Sequence, residues 1–216
     1  TWNVHRARGA DGAVDPTRTV DALAAEILPR IRPDILVLQE ADAEAPPHGG
    51  LLDIGRIERE TGLVWAQRAG HLRWSEASHG FHGVVVFLHR RLGVEHAALL
   101  DLPGHCPRGA VVIEASAGGR PFRLVATHLS RAQALRMAQL RVVGQHLDRR
   151  AERPTLLVGD LNEWRPWGGA ALSRRILGRR FTGPALATFP VGRPILALDR
   201  ILATPPASVH GARALD

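Results

Sequence analysis

The sequence predicts an α/β fold of mixed sheets with helices packed outside, and three observations carry that prediction. Short apolar β-type runs alternate with stretches of helical spacing. Two of the runs are joined at Gly118-Gly119, a hairpin signal between helical crossovers, which makes the sheets mixed rather than purely parallel. Some runs, such as Ile35–Leu38, are apolar at every position, which suits strands covered on both faces. The 216 residues are 45% hydrophobic, enough for a sizeable core, and no repeat, low-complexity tract or linker divides them, so one domain over 1–216 is expected.

Thr1–Val4 reads as a short strand. Asp15-Pro16 then supplies an N-cap and a first-turn proline, and Val20, Leu23, Ala24, Ile27, Leu28 and Ile31 recur at helical spacing up to the stop at Pro33. Ile35–Leu38 is a buried strand, and Leu51–Glu60 a helix closed by Gly62. Phe81–Leu88 is a strand centred on three valines; Ala110–Ala115 and Phe122–Thr127 are the hairpin strands. Arg131–Arg150 is a long amphipathic helix with Leu135, Ala138, Val142 and Leu147 on its inner face. Thr155–Val158 is again a buried strand, Trp167–Leu177 is helical, and Ile195–Leu202 and Ser208–Ala212 are the last strands.

Composition excludes several classes. No apolar stretch reaches the roughly 18 residues that cross a bilayer. The polar, basic start is no signal peptide, and cytoplasmic residence of a monomer is the expectation. The single Cys106 rules out an intrachain disulfide, and nothing around it activates a thiolate. The net charge is +7, yet every one of the 28 basic residues is Arg and Tyr is absent, a pattern of biased composition that spreads positive charge. An anionic substrate fits that charge, which does not say which one. His71, His79, His82 and His89 match no zinc spacing, and the run Arg174, Arg175, Arg179 and Arg180 reads as a solvated helical face. Trp65, Trp74, Trp164 and Trp167 are expected to cover the sheet ends as packing.

The chemistry lies where strands end. A polar group there is costly to bury unless it is used or paired, and in α/β folds ligands gather at strand ends. Leu36–Glu40 ends in a carboxylate, Leu124–His128 in an imidazole, and Leu156–Asn162 in Asp160 and Asn162, two residues apart. Asp199 sits inside an apolar run, and Asn3 and His5, two apart on a strand, are expected on one face. Hard oxygens such as Glu40 and Asp160 suit Mg²⁺ or Mn²⁺. Cleavage of a phosphate ester needs a metal on the phosphoryl oxygens, a base to orient water and donors for the developing charge. Asp160 is the candidate base, and His128 and Asn162 are the candidate electrophilic groups.

Five motifs in order, Thr-Trp-Asn-Val-His (1–5), Leu-Gln-Glu (38–40), Thr-His-Leu-Ser (127–130), Gly-Asp-Leu-Asn-Glu-Trp (159–164) and Leu-Asp-Arg-Ile-Leu (198–202), resemble the endonuclease/exonuclease/phosphatase family of metal-dependent phosphoesterases over nearly the whole chain. The resemblance implies a four-layer α/β/β/α sandwich with two mixed sheets face to face. It implies Glu40 as principal metal ligand beside Asn3, with His5 where relatives carry another polar metal-site residue. It places His128 against the scissile phosphate, Asp160 on the attacking water and Asn162 on a phosphate oxygen. Asp199 would pair with a C-terminal histidine. The chain departs from the pattern in reaching Asp216 without a Ser-Asp-His motif, since His210 lies too early, and in carrying Gly83-Val84 where many relatives have Gly-Asn. With the missing motif at one end and a start inside a strand without an initiator Met at the other, the domain is expected to be clipped at both ends. Nucleic acid, for a nuclease with an Arg-lined groove, and phospholipid, for an enzyme with an apolar rim near Trp65 and Trp74, are the substrate classes in view. A binding module without the histidine is the non-catalytic alternative.

Overall fold

The computed structural model describes residues 1–215. One sheet holds β1 (Trp2–Asn3), β2 (Ile35–Gln39), β3 (Leu63–Trp65) and β4 (Val85–His89) in the order β1-β2-β4-β3, with β1 and β2 parallel and the other pairings antiparallel. The second holds β5 (Leu92–Leu102), β6 (Arg108–Ala117), β7 (Arg120–His128), β8 (Thr155–Asp160) and β9 (Asp199–Ala203) in sequence order, with β7 and β8 parallel. Both sheets are mixed as expected; the hairpin at Gly118-Gly119 supplies the antiparallel β6–β7 pair of the second.

Alternation along the strands makes four layers. Val37, Val86 and Leu88 of the first sheet meet Val111, Ile113, Leu124 and Ala126 of the second in one buried cluster between the sheets. Their neighbours Leu36, Leu38, Val85 and Phe87 face outward, onto Val20, Leu23, Leu28 and Ile57 of helices α1 (Pro16–Asp21), α2 (Leu28–Ile31) and the connecting π-turn Ala22–Ile27, and α3 (Ile54–Thr61). On the far side Val112, Val125, Leu157 and Leu202 pack on Leu140, Val143 and Leu147 of α4 (Gln133–Asp148) and on Ile176 and Leu177 of α5 (Arg174–Leu177). Strands apolar at every position are thus strands covered twice.

Local chemistry explains the ends. Asp15 accepts the Arg18 N–H at 3.0 Å and caps α1. Asp53 caps α3 in the same way, and Gly62 closes it in the left-handed region. Pro29 has no N–H to give the preceding turn, and the ladder widens into the π-turn just ahead of it.

The structure also corrects the reading. The edge strand β5 was not expected: its Val94-Glu95-His96 stretch is exposed and carries an irregular register, so it lacks the apolar run that marks an inner strand. The short β3, only three residues long, was likewise not expected. The buried face of α4 is Arg136, Gln139, Leu140, Val143, Gly144 and Leu147, while Ala138 is exposed, because a buried ion pair rather than a purely apolar stripe sets the rotation of the helix. Only Arg174–Leu177 of the stretch Trp167–Leu177 is helical, since turns occupy the residues around Gly168 and Gly169. Arg179 and Arg180 accordingly lie beyond the helix, and Arg179 pairs with Asp148 at 2.6 Å. The last strand begins at Asp199 rather than Ile195, because Leu196 bonds back to Phe189 in a tight turn. Residues 208–212 form no strand; Ser208 and His210 hydrogen bond to each other instead.

Candidate active site

β1, β2, β7, β8 and β9 end or begin at one edge of the sandwich and bring Asn3, Glu40, His128, Asp160, Asn162 and Asp199 together. In register, Asn3 lies opposite Gln39, His128 opposite Asp160, and Asp160 opposite Asp199. The Asn3 amide spans the two sheets: its Nδ2 donates to Glu40 Oε1 at 3.2 Å and to Asp160 Oδ2 at 3.1 Å. Two carboxylates separated by 120 positions of sequence thus share one amide.

Glu40 leaves β2 with φ 55°, a left-handed turn that swings its carboxylate into the cluster. Gly83 makes that turn possible: its carbonyl accepts the Ala41 N–H at 3.0 Å, and a Cβ on Gly83 would meet Glu40 Cα at 3.2 Å with φ already at +78°. The Gly-Val departure from the family pattern therefore keeps the glycine that the backbone needs.

On the second sheet, Asp160 Oδ1 accepts the Asn162 N–H at 3.0 Å, and Asn162 Nδ2 donates to the Leu129 carbonyl at 2.9 Å. His128 Nε2 lies 3.3 Å from Asn162 Nδ2 and 3.5 Å from Asp160 Oδ2. Burial and the positive charges of Arg108, Arg6 and Arg131 push the His128 imidazole down to about 3, so it is neutral. Burial and the nearby Asp199 charge push Asp160 up to about 6. Burial also raises Asp199, whose Oδ1 is buried without a hydrogen-bond partner among the described residues. His210 does not fill that place, since its ring is exposed and bonded to Ser208.

His5 does not join this arrangement. The chain leaves the strand after Asn3 and turns through three consecutive left-handed residues, His5, Arg6 and Ala7, so the two-residue alternation stops before His5. The His5 side chain is exposed, and only its N–H reaches the site, donating to Asn3 Oδ1 at 2.9 Å. That turn delivers Arg6 instead, whose Nη1 meets Glu40 Oε2 at 3.0 Å. Sequence reasoning missed Arg6, and it also missed Arg108, a half-buried guanidinium on β6 whose charge is felt by Glu40, Asp160 and His128. In a chain with 28 basic residues, all Arg, neither position stands out.

Behind the loop after β8 lies a second set, built on buried charges. Glu163 accepts from Arg136 Nη2 at 3.2 Å and from Arg165 Nη1 at 2.8 Å, with Arg136 and Glu163 both buried. Arg200, also buried, donates from Nη2 to the carbonyls of Glu163 at 3.0 Å and Arg165 at 2.7 Å. The loop that positions Asn162 is therefore pinned from both sides.

This arrangement, on a sandwich of two mixed sheets, defines a class, and comparison with known proteins gives that class its name. The model of the endonuclease/exonuclease/phosphatase family matches residues 1–216, and the chain belongs to that family. It is 29% identical over 200 residues to the uncharacterized protein YbhP of Escherichia coli K12, covering 87% of this chain and 74% of that one. Among solved structures it is similar to a functionally unknown conserved protein from Enterococcus faecalis V583, with a TM-score of 0.67, 15% identity and coverage of 94% of this chain and 85% of that one. It is also similar to D. rerio TDP2 complexed with single strand DNA product, with a TM-score of 0.63, 17% identity and coverage of 94% and 81%. At such identities these two structures show the shared fold. Hydrolases of this family act on phosphate esters and generally use divalent metals.

Proposed function

We propose that this protein is a divalent-metal-dependent phosphodiesterase that cleaves its ester by attack of water. The observation that carries the reading is the Asn3 amide bridging Glu40 and Asp160 across the two sheets, in a ring of arginines suited to an anion. The residues fit a hard cation. Glu40 already holds a positive group, the Arg6 guanidinium at 3.0 Å. The donors of Glu40 and Asn3 are oxygens, and among the described residues no group of three or more His, Cys, Asp or Glu is placed to hold an ion, so the set is a sparse one. A sparse carboxylate set is what Mg²⁺ or Mn²⁺ accepts, since Mg²⁺ keeps several of its waters.

Glu40 and Asn3 would hold the cation, which supplies neutralisation of the phosphoryl oxygens. Asp160 orients and deprotonates the water; its raised pKa makes it a better proton acceptor than an ordinary aspartate. His128, kept neutral, and Asn162 offer hydrogen bonds to the phosphate, and Arg108 adds a fixed positive charge. Asp199 stands ready to orient a histidine, the role its buried and unmet oxygen suggests.

Two variants test the assignment on a soluble diester, bis(p-nitrophenyl) phosphate, with Mg²⁺ or Mn²⁺. Glu40→Ala should abolish metal-dependent turnover and weaken cation binding by calorimetry, with the melting curve unchanged. Asp160→Asn should keep cation binding and lose about 10²–10⁴-fold in turnover. Full activity in Glu40→Ala would remove the metal assignment.

A further inference from the structure

The edge that carries the site also carries two loops of uncovered apolar side chains. The first follows Asn162 and holds Trp164 and Trp167, 47% and 77% exposed. The second is the turn ahead of β9, with Phe189, Val191 and Ile195 at 51%, 85% and 71%. The expectation that the tryptophans cover sheet ends holds for Trp65 and Trp74, which pack against His79 and His48, and fails for this pair. The apolar rim is therefore not at Trp65 and Trp74.

β8 and β9 run antiparallel with Asp160 opposite Asp199, so the residues after β8 and those before β9 leave the sheet at the same end. Arg200 fastens the first loop to β9 through the carbonyls of Glu163, Arg165 and Pro166. The second is closed on itself where Thr188 and Phe189 donate to the Leu196 carbonyl at 2.8 and 3.1 Å. Held in this way, Trp167, Val191 and Ile195 stay largely in water, where each forfeits most of the gain of burial, while Phe189 is half exposed and the Arg165 guanidinium lies 4.6 Å over the Trp164 ring. Apolar groups gathered at one end of a soluble protein mark a partner.

The chemistry of the loops selects that partner. Val191 and Ile195 have no π-face to stack on a base. A membrane boundary takes aliphatic and aromatic groups alike, with Trp at headgroup depth. At the site end Arg193 stands exposed in the second loop and the charges of Arg6, Arg108 and Arg131 act on His128, while from Trp164 to Leu198 the chain carries no acidic residue. We propose that these two loops dock the site end of the molecule onto an anionic phospholipid surface, and that the ester presented to Asp160 is a lipid headgroup phosphate; the second half rests on the phosphodiesterase reading above.

The test is sedimentation with phosphatidylcholine vesicles containing about 30% phosphatidylglycerol, in EDTA so that nothing is hydrolysed. The protein should pellet with these vesicles and far less with pure phosphatidylcholine. Trp167→Ser/Val191→Ser/Ile195→Ser should weaken partitioning by about 100-fold or more. The same variant should hydrolyse bis(p-nitrophenyl) phosphate like the parent but lose hydrolysis of vesicle phospholipid. Parent protein left in the supernatant, or a variant that binds vesicles as tightly, overturns the docking surface. So does a rim whose substitution releases a single-stranded oligonucleotide while vesicles are ignored. If neither protein cleaves the soluble diester, the hydrolase reading falls, and the EDTA sedimentation still decides the docking.

Discussion

Replacing Glu163 by Gln removes the one carboxylate that faces two guanidinium groups behind the Asp160–Asn162 loop. Arg136 is buried, and once Glu163 is neutral it faces no counter-charge, only neutral acceptors that include the carbonyls of Ser130 and Arg131 at 2.9 and 2.8 Å. Arg165 is partly exposed and retains Gln133 Oε1 at 2.9 Å, so its loss is small. Breaking a buried pair by removing one partner costs about 3–5 kcal/mol, chiefly for the charge left behind. Because the amide still accepts a hydrogen bond, the low end applies, about 3 kcal/mol, or a fall of roughly 6–12 °C in Tm for a chain of this size. The assay is a double-mutant cycle in urea with Glu163→Gln, Arg136→Met and the pair. The pair should recover about 1–3 kcal/mol of the summed single losses, since no charge is then stranded. Turnover should follow stability only partly, because the loop that places Asn162 loses one of its pins. Strictly additive losses would refute the reasoning: Arg136 and Glu163 would then be neighbours without an energetic partnership.

Gly159→Ala should prevent folding or cost about 3 kcal/mol or more, since φ is +143° and the new Cβ would lie 1.9 Å from the Thr127 carbonyl; thermal melting reads it. The acid limb of stability should depend on Glu114. Its hydrogen bond from the buried Arg123, at 2.8 Å, holds its carboxyl below the ordinary glutamate range. A carboxylate whose pKa is depressed by folding contributes stability above its unfolded pKa and loses it as pH falls through the folded one. Glu114→Gln should therefore be less stable at neutral pH and converge on the parent under acid, in urea midpoints measured across that range.

The sequence by itself determined the family, the layered α/β architecture and the strand ends at which the candidate site residues stand. Continuous apolar strands ending in Glu40, His128 and Asp160 have few uses other than a doubly covered sheet with chemistry at its edge, and the motifs keep the family's order. Local signals also placed the hairpin and the helix caps. Only the tertiary structure decided which polar groups share a partner. Asn3 meets Asp160 because two sheets pack face to face, a contact no spacing encodes. His5 read as a site residue because a strand was assumed to continue, and the left-handed turn put Arg6 there instead. Arg6, Arg108 and Arg200 differ from the other arginines only in burial and neighbours, which are properties of the packed molecule. The exposed loops are the converse case: Trp167 and Val191 are large apolar residues that the packed chain leaves 77% and 85% exposed beside the site, a placement that no local pattern announces.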